Sequence, residues 1–307
     1  MTAHKRIAIV LNPGSGVGGA DDAREAIQQH FETSGYEVTM VELEVSLDLA
    51  AAVTRLVDAG VTVIAAAGGD GTVNAVASAI IGHDVTFGVL PLGTLNHFAR
   101  DLSIPVDVDD AAGVIIAGHT TTVDVGEVNG RIFLNNSSVG LYPRIVKLRE
   151  QHDARGARKW AIAAWATMRA IRNTVPLRVQ LLVDGKEVTR STPLIFIGNN
   201  EYRMQGADAA SRDSLQDGRL ALYLVKTNGQ WNLLRLVYRI LAGTARESGE
   251  LAMVTTATAV IDTANGSQTQ LDVALDGEVT TMTMPLRYAI RPRALRVLVP
   301  RPAVTAD

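Results

Sequence analysis

The first part of the chain alternates short apolar runs with longer mixed segments. Four apolar runs predict strands, at 6–11, 38–43, 61–67 and 87–90. Three segments between or after them predict helices, at 21–31, 47–59 and 72–80. The strand at 6–11 is apolar almost throughout, as expected for a strand covered on both faces. Strands that alternate with helices predict an α/β domain with a parallel sheet.

Beyond about residue 122 the pattern changes to hairpins. Asn129-Gly130 lies between the segments 123–128 and 131–134, and Asp184-Gly185 between 177–183 and 186–189; such dipeptides favour the two-residue turn of a β-hairpin. Further strands are predicted at 193–197, 220–225, 257–262, 271–275 and 294–299, and helices at 142–173 and 230–243. The sequence therefore predicts a second domain of a different class, an antiparallel sheet or sandwich. We place the boundary so that residues 1–122 form the first domain and 123–289 the second.

Composition narrows the possible functions. The chain has 307 residues, 47% of them hydrophobic, which suits about two domains. Its net charge of −3 gives no attraction for nucleic acid, so we expect no nucleic-acid partner. The absence of cysteine excludes disulfides and thiolate metal sites and fits a cytoplasmic protein. No run reaches the roughly 20 apolar residues of a membrane span, so we expect no transmembrane segment. Oligomeric state cannot be read from the sequence.

A glycine-rich run, Gly68-Gly69-Asp70-Gly71-Thr72-Val73-Asn74, lies between a predicted buried strand and a predicted helix. Glycines let backbone N–H groups approach a phosphate, and a helix N-terminus favours an anion. Asp70 would repel a phosphate unless a divalent cation lay between them, so the acid indicates Mg²⁺. An equally weighted alternative is a tight turn in which Asp70 or Thr72 caps the helix.

Two more glycine-bearing loops follow predicted strands. Residues 14–19 fit the dinucleotide pattern G-x-G-x-x-G, with Glu42 or Glu44 downstream, although the match is weak. The loop within 90–100 carries Thr94 and Asn96. Ligands of parallel sheets collect at the carboxyl ends of the strands, so the three loops together predict a nucleotide site. The phosphate-binding motif G-x-x-x-x-G-K-[ST] is absent, which excludes a P-loop ATPase.

These loops and several later segments resemble the catalytic family of diacylglycerol kinases, which includes sphingosine and ceramide kinases and soluble bacterial lipid kinases. The segments that carry the resemblance span nearly the whole chain: 12–16, 68–74, 90–100, 123–130, 133–135, 198–200, 217–220 and 276–278. The combination of the first three is specific, whereas the run Gly68–Thr72 alone also occurs in NAD kinases and phosphofructokinases.

The resemblance implies a nucleotide-binding α/β domain, a C-terminal antiparallel β-sandwich, and an active site in the cleft between them. A last strand near 290–300 would return to the first domain. The implied activity is transfer of the ATP γ-phosphate to a hydroxyl of diacylglycerol or a related lipid at a membrane surface, with Mg²⁺. The residues implied to hold ATP are Asn12, Ser15, Gly16, Gly68, Gly69, Asp70, Gly71, Thr72, Val73, Asn74, Thr94 and Asn96.

Further roles come only from the resemblance. Asp70 would act on the phosphates through Mg²⁺, and Glu278 would take the proton from the lipid hydroxyl, across the cleft from Asp70. Asp217, with the carbonyls of Ser214 and Arg219, matches a structural metal site of bacterial members. His97 stands where family members commonly carry Asp, and it could be a base, a phosphate ligand or a helix cap.

Alternatives remain open at this point. Glu278 also fits an exposed residue of an Asp-Gly turn, and the basic segment 144–178, with Trp165 and Met168, fits either an anionic membrane or a solvated face. We expect the apolar residues of 231–241 to pack in the core. The competing functions are a kinase of a soluble substrate, such as an NAD kinase, and a non-catalytic relative that binds lipid or nucleotide.

Overall fold

The computed structural model describes residues 5–14, 20–44, 46–151, 157–183, 185–203, 211–226, 229–241, 244, 249–263 and 269–301. The chain divides into two compact units. Unit 1 comprises Met1–Val123 and Arg293–Asp307, and unit 2 comprises Asp124–Pro292. Ser15 and Gly16, two of the residues expected to hold ATP, lie outside the described residues.

Unit 1 contains a parallel sheet with the order β2-β1-β3-β4. Its strands are β1 (Lys5–Leu11), β2 (Tyr36–Glu42), β3 (Val63–Gly68) and β4 (Thr86–Pro91). Its helices are α1 (Ala20–Thr33), α2 (Leu49–Asp58), α3 (Asp70–Ile80), α4 (His97–Asp101) and α5 (Val108–Ala117). Asp48 and Asp107 cap α2 and α5: the Asp48 carboxylate accepts one backbone N–H group of the first turn, and the Asp107 carboxylate accepts two. The predicted α/β domain is confirmed.

Unit 2 contains a six-stranded antiparallel sheet with the order β12-β11-β10-β7-β14-β15. These strands are β7 (Asn136–Gly140), β10 (Leu194–Asn199), β11 (Leu220–Val225), β12 (Leu251–Thr256), β14 (Gln270–Leu275) and β15 (Glu278–Thr283). The helices of this unit are α6 (Leu141–Glu150), α7 (Ala157–Arg172) and α8 (Gln230–Leu241).

A second antiparallel array in unit 2 runs β9-β8-β13-β16, and a β5–β6 hairpin pairs with β16. Its strands are β5 (Thr120–Val128), β6 (Arg131–Phe133), β8 (Leu177–Val183), β9 (Lys186–Thr192), β13 (Thr258–Thr263) and β16 (Leu286–Leu298). Val297, in the unit 1 part of β16, pairs in parallel with Phe87 of β4. One hydrophobic core takes residues from both arrays of unit 2, including Ile197 and Ile261. The predicted antiparallel sandwich is confirmed.

Two helix predictions need correction. The segment 142–173 is not one helix, because α6 ends at Glu150 and α7 begins at Ala157. The expectation that Trp231 packs in the core is wrong, since its exposed fraction is 84%. Helix α8 instead buries Leu233 and Leu236, which stand on a different face of the helix from Trp231.

Candidate functional site

The described parts of the three glycine-bearing loops of unit 1 lie at one edge of the parallel sheet. Strands β1, β3 and β4 are neighbours and run in the same direction, so their carboxyl ends meet. The backbone N–H of Asn12 donates to the carbonyl of Ala67 at 3.1 Å, and the N–H of Leu92 donates to that of Gly68 at 3.0 Å. Each outer loop is therefore hydrogen-bonded to the end of the central strand.

Asn12 also joins the first loop to the second through its side chain. Its amide nitrogen Nδ2 donates to Thr72 Oγ1 at 3.1 Å, and its oxygen Oδ1 accepts from the N–H of Gly14 at 3.0 Å. Thr72 is buried at the start of α3. The asparagine thus holds the Asn12–Gly14 turn against the helix that follows the glycine-rich run.

Glycine is required where the loops approach each other. A Cβ added at Gly93 would lie 2.6 Å from the Cα of Gly69 and 2.7 Å from Asn96 Oδ1. A Cβ at Gly68 would lie 2.4 Å from Thr72 Oγ1. Real Cβ atoms do not come so close to other atoms, so Gly93 permits the contact between the second and third loops, and Gly68 permits the close packing of Thr72 within the second loop.

The third loop is held by Asn96. This residue adopts the left-handed conformation, with φ of 50°, and exchanges two hydrogen bonds with the backbone of Gly93. Thr94 is exposed at the top of this turn. His97 is exposed and is the first residue of α4, whose N-cap is Asn96, so His97 does not act as the cap.

Asp70 is the first residue of α3, and the N-cap is Gly69, which has no side chain to make a capping hydrogen bond. The alternative in which Asp70 or Thr72 caps the helix is therefore wrong. Asp70 Oδ1 is buried, and no donor of the described residues lies within hydrogen-bond distance of it. A buried acceptor without a donor costs free energy, so this oxygen is suited to a ligand such as a cation.

The other residues of the run differ in what they offer. Gly71 is exposed, whereas Val73 is buried and packs in the core of unit 1. Asn74 is half-buried and its Oδ1 accepts from Ser78 Oγ at 3.3 Å. Val73 could therefore contribute only its backbone to a ligand at this loop.

In unit 2, the turn Asp276-Gly277 joins β14 to β15 and places Glu278 at the start of β15. Both turn residues have positive φ, 47° and 94°, as a type I′ hairpin requires. The Asp276 carboxylate accepts three backbone N–H groups, from Leu134 at 2.8 Å, Asn135 at 2.8 Å and Asn136 at 2.9 Å. The Glu278 side chain is exposed.

A buried polar network continues from this turn. Arg212 donates to the carbonyls of Leu134 and Asn199 at 2.7 and 3.0 Å and to Asn135 Oδ1 at 2.9 Å. Asn199 Nδ2 donates to the carbonyls of Asp124 and Leu134 at 2.9 and 2.8 Å. The sequence assigned no role to Arg212 or Asp124 and treated Asp276 only as part of a turn, although an acid within the apolar strand β5 was a signal for Asp124.

Asp217, expected to bind a structural metal, is exposed in the described segment 211–219. The carbonyl of Arg219 accepts from the N–H of Asn200 at 3.1 Å, and Ser214 Oγ accepts from the N–H of Gln216 at 3.1 Å. Asp124 Oδ2 accepts from the N–H of Gly218 at 2.7 Å, which ties this segment to β5. Within the described ranges no three acidic or histidine side chains cluster as metal ligands, so a cation at Asp217 would need backbone carbonyls and water.

The outward face of α7 combines aromatic and basic residues. Trp165, Met168, Arg169 and Arg172 recur at helical spacing and are all exposed, whereas Ala166, Ala170 and Ile171 are buried. The Arg169 guanidinium lies 5.6 Å from the centre of the Trp165 ring. Gln230 Nε2 donates to the main-chain carbonyl of Arg172 at 3.4 Å, which brings the start of α8, where Trp231 is exposed, to the C-terminal end of α7. None of the described helices is long and apolar enough to cross a membrane.

Comparison with known proteins gives consistent matches in both units. A family model of the diacylglycerol kinase catalytic domain matches residues 6–128, and a model of the YegS C-terminal NAD kinase beta sandwich-like domain matches residues 144–299. A diacylglycerol kinase of Bacillus subtilis strain 168 is 30% identical over 247 residues, which cover 78% of this chain and 80% of the relative. A diacylglycerol kinase of Staphylococcus aureus strain MRSA252 is 31% identical over 231 residues, covering 72% and 71%.

The fold is also similar to that of solved structures. A crystal structure of a diacylglycerol kinase from Bacillus anthracis strain Sterne superposes with a TM-score of 0.71 at 19% identity, covering 99% of this chain and 100% of that chain. At this identity the likeness concerns the fold alone.

Proposed function

The chain belongs to the diacylglycerol kinase family, and from that membership we propose that it transfers the γ-phosphate of ATP to a hydroxyl of diacylglycerol or a related lipid. The observation that carries this proposal is a buried carboxylate oxygen in the glycine-rich run, at the sheet edge where the ends of β1, β3 and β4 meet. Asp70 Oδ1 has no donor among the described residues, and Gly69 and Gly71 flank Asp70 in the chain. Such a place suits a nucleotide phosphate with its metal ion.

Each loop has a distinct part in the proposed nucleotide site. The backbone of Gly68–Asn74 and the N-terminus of α3 would bind phosphate, since N–H groups of the first helical turn have no partner within the helix. Asn12 and Thr72 fix the geometry of this loop through their hydrogen bond, and Thr94 is exposed to contact the nucleotide. Ser15, Gly16 and Asn96 complete the proposed set.

A divalent cation fits this site through Asp70. The donor set is an aspartate oxygen beside exposed glycine backbone, which is what Mg²⁺ takes when its other ligands are phosphate oxygens and water. When bound, Mg²⁺ would neutralise charge on the phosphates. Asp217 remains a proposed site for a second, structural cation, with the carbonyls of Ser214 and Arg219.

We assign the general base to Glu278. Phosphoryl transfer needs in-line positioning, charge neutralisation and the removal of one proton from the attacking hydroxyl. Glu278 is exposed, and the turn that carries it is fixed by the three hydrogen bonds of Asp276. A carboxylate held in this way can accept the hydroxyl proton at one of its oxygens as the oxygen–phosphorus bond forms.

The outward face of α7 would contact the membrane surface and so give the protein access to its lipid substrate. Tryptophan and arginine favour the boundary between lipid headgroups and acyl chains, where the ring is buried and the charge stays in contact with lipid phosphates. Trp165, Arg169 and Arg172 offer this combination, and Trp231 extends it. Trp231→Ser should reduce co-sedimentation with anionic vesicles, and unchanged co-sedimentation would exclude this patch.

The decisive experiment measures ATP turnover with three additions. Anionic vesicles that contain diacylglycerol should stimulate turnover, whereas the same vesicles without diacylglycerol and NAD⁺ alone should not. Stimulation by NAD⁺ would instead favour a kinase of a soluble substrate. The description of the second family model as NAD kinase-like supports testing this alternative. ATP binding without turnover under all conditions would indicate a non-catalytic relative.

A variant tests the base directly. Glu278→Gln should lower kcat by about 10²–10⁴-fold, because a positioned general base typically contributes that much. ATP binding should persist, since the amide replaces only the proton acceptor. Thr280→Val, two residues along β15, serves as the control. If Glu278→Gln had the kcat of the wild type, Glu278 would not be the general base.

A further inference from the structure

Unit 2 contains a cavity of about 600 Å³ between its two sheets. Strands β8 and β9 line it on one side, and β11 and β12 line it on the other. Strand β9 ends one sheet and β12 ends the other, so the cavity lies at an edge of the sandwich. Its volume falls within the range of about 300–1,000 Å³ that is usual for ligand pockets.

The register of the strands makes the interior of this cavity apolar. Leu181 pairs with Val188 across β8 and β9, and Leu222 and Leu224 pair with Val254 and Ala252 across β11 and β12. Directly paired residues point to the same face of a sheet. Leu181, Leu222 and Leu224 belong to the sandwich core, so their partners also point inward.

The mouth of the cavity is positively charged. Lys186 and Arg190 each lie two residues from Val188 along β9, so all three side chains point to the same, inward face of the strand. Lys226 follows the end of β11 and also lines the cavity. All three side chains belong to exposed residues, and none forms an ion pair with a carboxylate of the described residues.

Inward-pointing charges at an edge strand can simply prevent pairing with another chain. That explanation accounts for Lys186 and Arg190 but not for the open volume beside them. Protein interiors are normally packed with few voids larger than a water molecule. An apolar cavity with a cationic mouth instead matches one class of molecule, in which a hydrocarbon chain ends in a negative group.

We propose that this cavity binds a single-chain anionic amphiphile, with the chain between the sheets and the head group at Lys186, Arg190 and Lys226. The site is separate from Glu278. Five strand spacings separate β12 from β15 in the six-stranded sheet, which at about 4.8 Å each amounts to roughly 24 Å. The uncharged hydroxyl of a kinase acceptor would also gain little from three cations. The proposal does not depend on the proposed kinase activity.

The test measures binding by the full chain without ATP. The probe is cis-parinarate, a fluorescent fatty acid, used below the concentration at which it forms micelles. We expect saturable binding that oleate and oleoyl lysophosphatidate reverse, because both carry one chain and a negative head group. Oleyl alcohol, with the same chain and no charge, should compete at least about tenfold more weakly. Equal competition by the alcohol would overturn the role of the three cations.

Two variants locate the site. Ala252→Phe fills the cavity and should raise the dissociation constant of the probe at least about tenfold. Met253→Phe is the matched control, because the neighbouring side chain on β12 points to the opposite face of the sheet and should leave binding unchanged. Thermal unfolding of both variants checks that the sandwich is intact.

The charged mouth is tested by the double variant Lys186→Gln/Arg190→Gln. It should weaken oleate about tenfold and oleyl alcohol little. Arg178→Gln, an exposed residue on the outward face of β8, is the control. The proposal is overturned if the wild-type chain shows no saturable binding, or if folded Ala252→Phe and the double variant both bind like the wild type. Either result would leave edge protection as the role of these charges.

Discussion

Asp70 and Asp276 stand in similar sequence contexts, yet their surroundings in the two units differ. Each aspartate is followed by glycine at the end of a strand. The Asp276 carboxylate accepts three backbone N–H groups, whereas Asp70 Oδ1 is buried without a donor among the described residues. An aspartate satisfied by its own chain stabilises the fold, and one with a buried acceptor left over is available to a ligand.

The two units therefore use these aspartates differently, one for a ligand and the other for the scaffold. In unit 1, the loops are fixed by Asn12, Asn96 and close glycine contacts, so Asp70 is not needed to hold them. In unit 2, Asp276 is itself part of the scaffold, and the exposed residue nearby is Glu278. We therefore expect substitutions of Asp70 to affect activity without stability, and substitutions of Asp276 to affect stability first.

The largest effect is expected at Asp70. Asp70→Asn should lower kcat by at least about 10²-fold, because removal of one preorganised electrostatic group commonly costs that much. Its free energy of unfolding should change by less than about 0.5 kcal/mol, as no hydrogen bond to the buried oxygen is lost. Steady-state kinetics and urea unfolding measure the two quantities. Asp58→Asn, at an exposed position in the same unit, is the control. A strongly destabilised Asp70→Asn protein would place Asp70 with Asp276 as a structural residue.

Asp276 should show the opposite result. Asp276→Gly should lower the free energy of unfolding by about 2–4 kcal/mol, because three backbone N–H groups lose their acceptor. Glycine accepts the positive φ of this position, so backbone strain does not add to the loss. Asp276→Asn keeps one oxygen and the same φ preference and should lose less. Urea unfolding that matches the wild type for Asp276→Gly would show that the network does not depend on this carboxylate.

The contact between the glycine loops gives a third, smaller effect. Gly93→Ala should lower the free energy of unfolding by about 1–3 kcal/mol, since the new Cβ meets the backbone of Gly69 and must displace it. Gly113→Ala, within α5, is the matched control because no atom lies within 4 Å of its added Cβ. That control should stabilise the protein by about 0.5–1 kcal/mol, as alanine favours helix. Equal stability of the two variants would mean that the loops separate without cost.

Much of unit 1 could be predicted because the hydrophobic runs that mark its strands are followed directly by the glycine-bearing loops that carry its candidate chemistry. Ile7–Leu11 and Ile64–Gly68 are buried, as expected for strands covered on both faces, and glycines mark where the chain leaves them. The sequence did not reveal that Asp70 Oδ1 is buried without a donor among the described residues. That property depends on which groups of distant loops point towards it, and no local pattern reports it.

Unit 2 was predicted less completely, and β7 shows why. This strand, Asn136–Gly140, lies between β10 and β14 in the middle of the sheet, yet it carries Ser137 and Ser138, both buried. Ser137 Oγ lies 3.0 Å from the hydroxyl of Tyr288, a partner 151 residues away, whereas the buried Ser138 Oγ has no hydrogen-bond partner among the described residues. Burial raises the pKa of the Tyr288 hydroxyl well above its usual value, despite the opposing effect of this hydrogen bond. Hydrophobic patterning cannot detect a strand of this kind.

A third aspartate, Asp272 on β14, extends the comparison to a carboxylate held by a cation. Partial burial would raise the pKa of Asp272, but hydrogen bonds from Lys147 and Thr281 and the charges of Lys147 and Arg144 lower the pKa by more. Since the folded pKa lies below the unfolded one, Asp272 contributes stability above the unfolded pKa of about 3.9. This contribution is lost as the pH falls through the folded pKa.

The effect of Asp272 should be the smallest of the four. Lys147 Nζ lies 2.6 Å from Asp272 Oδ2, but the two side chains are 44% and 35% exposed, so water and salt screen the pair. We expect a coupling free energy of about 0.2–1 kcal/mol from the double-mutant cycle of Lys147→Met and Asp272→Asn. When unfolding is measured from about pH 6 to pH 3, the coupling free energy should stay unchanged at first and decrease below about pH 4. A coupling that grows as the pH falls would contradict the direction of the pKa shift. A coupling free energy of zero at pH 6 would mean that the Lys147–Asp272 pair does not stabilise the contact between α6 and β14, which would then depend on apolar packing alone.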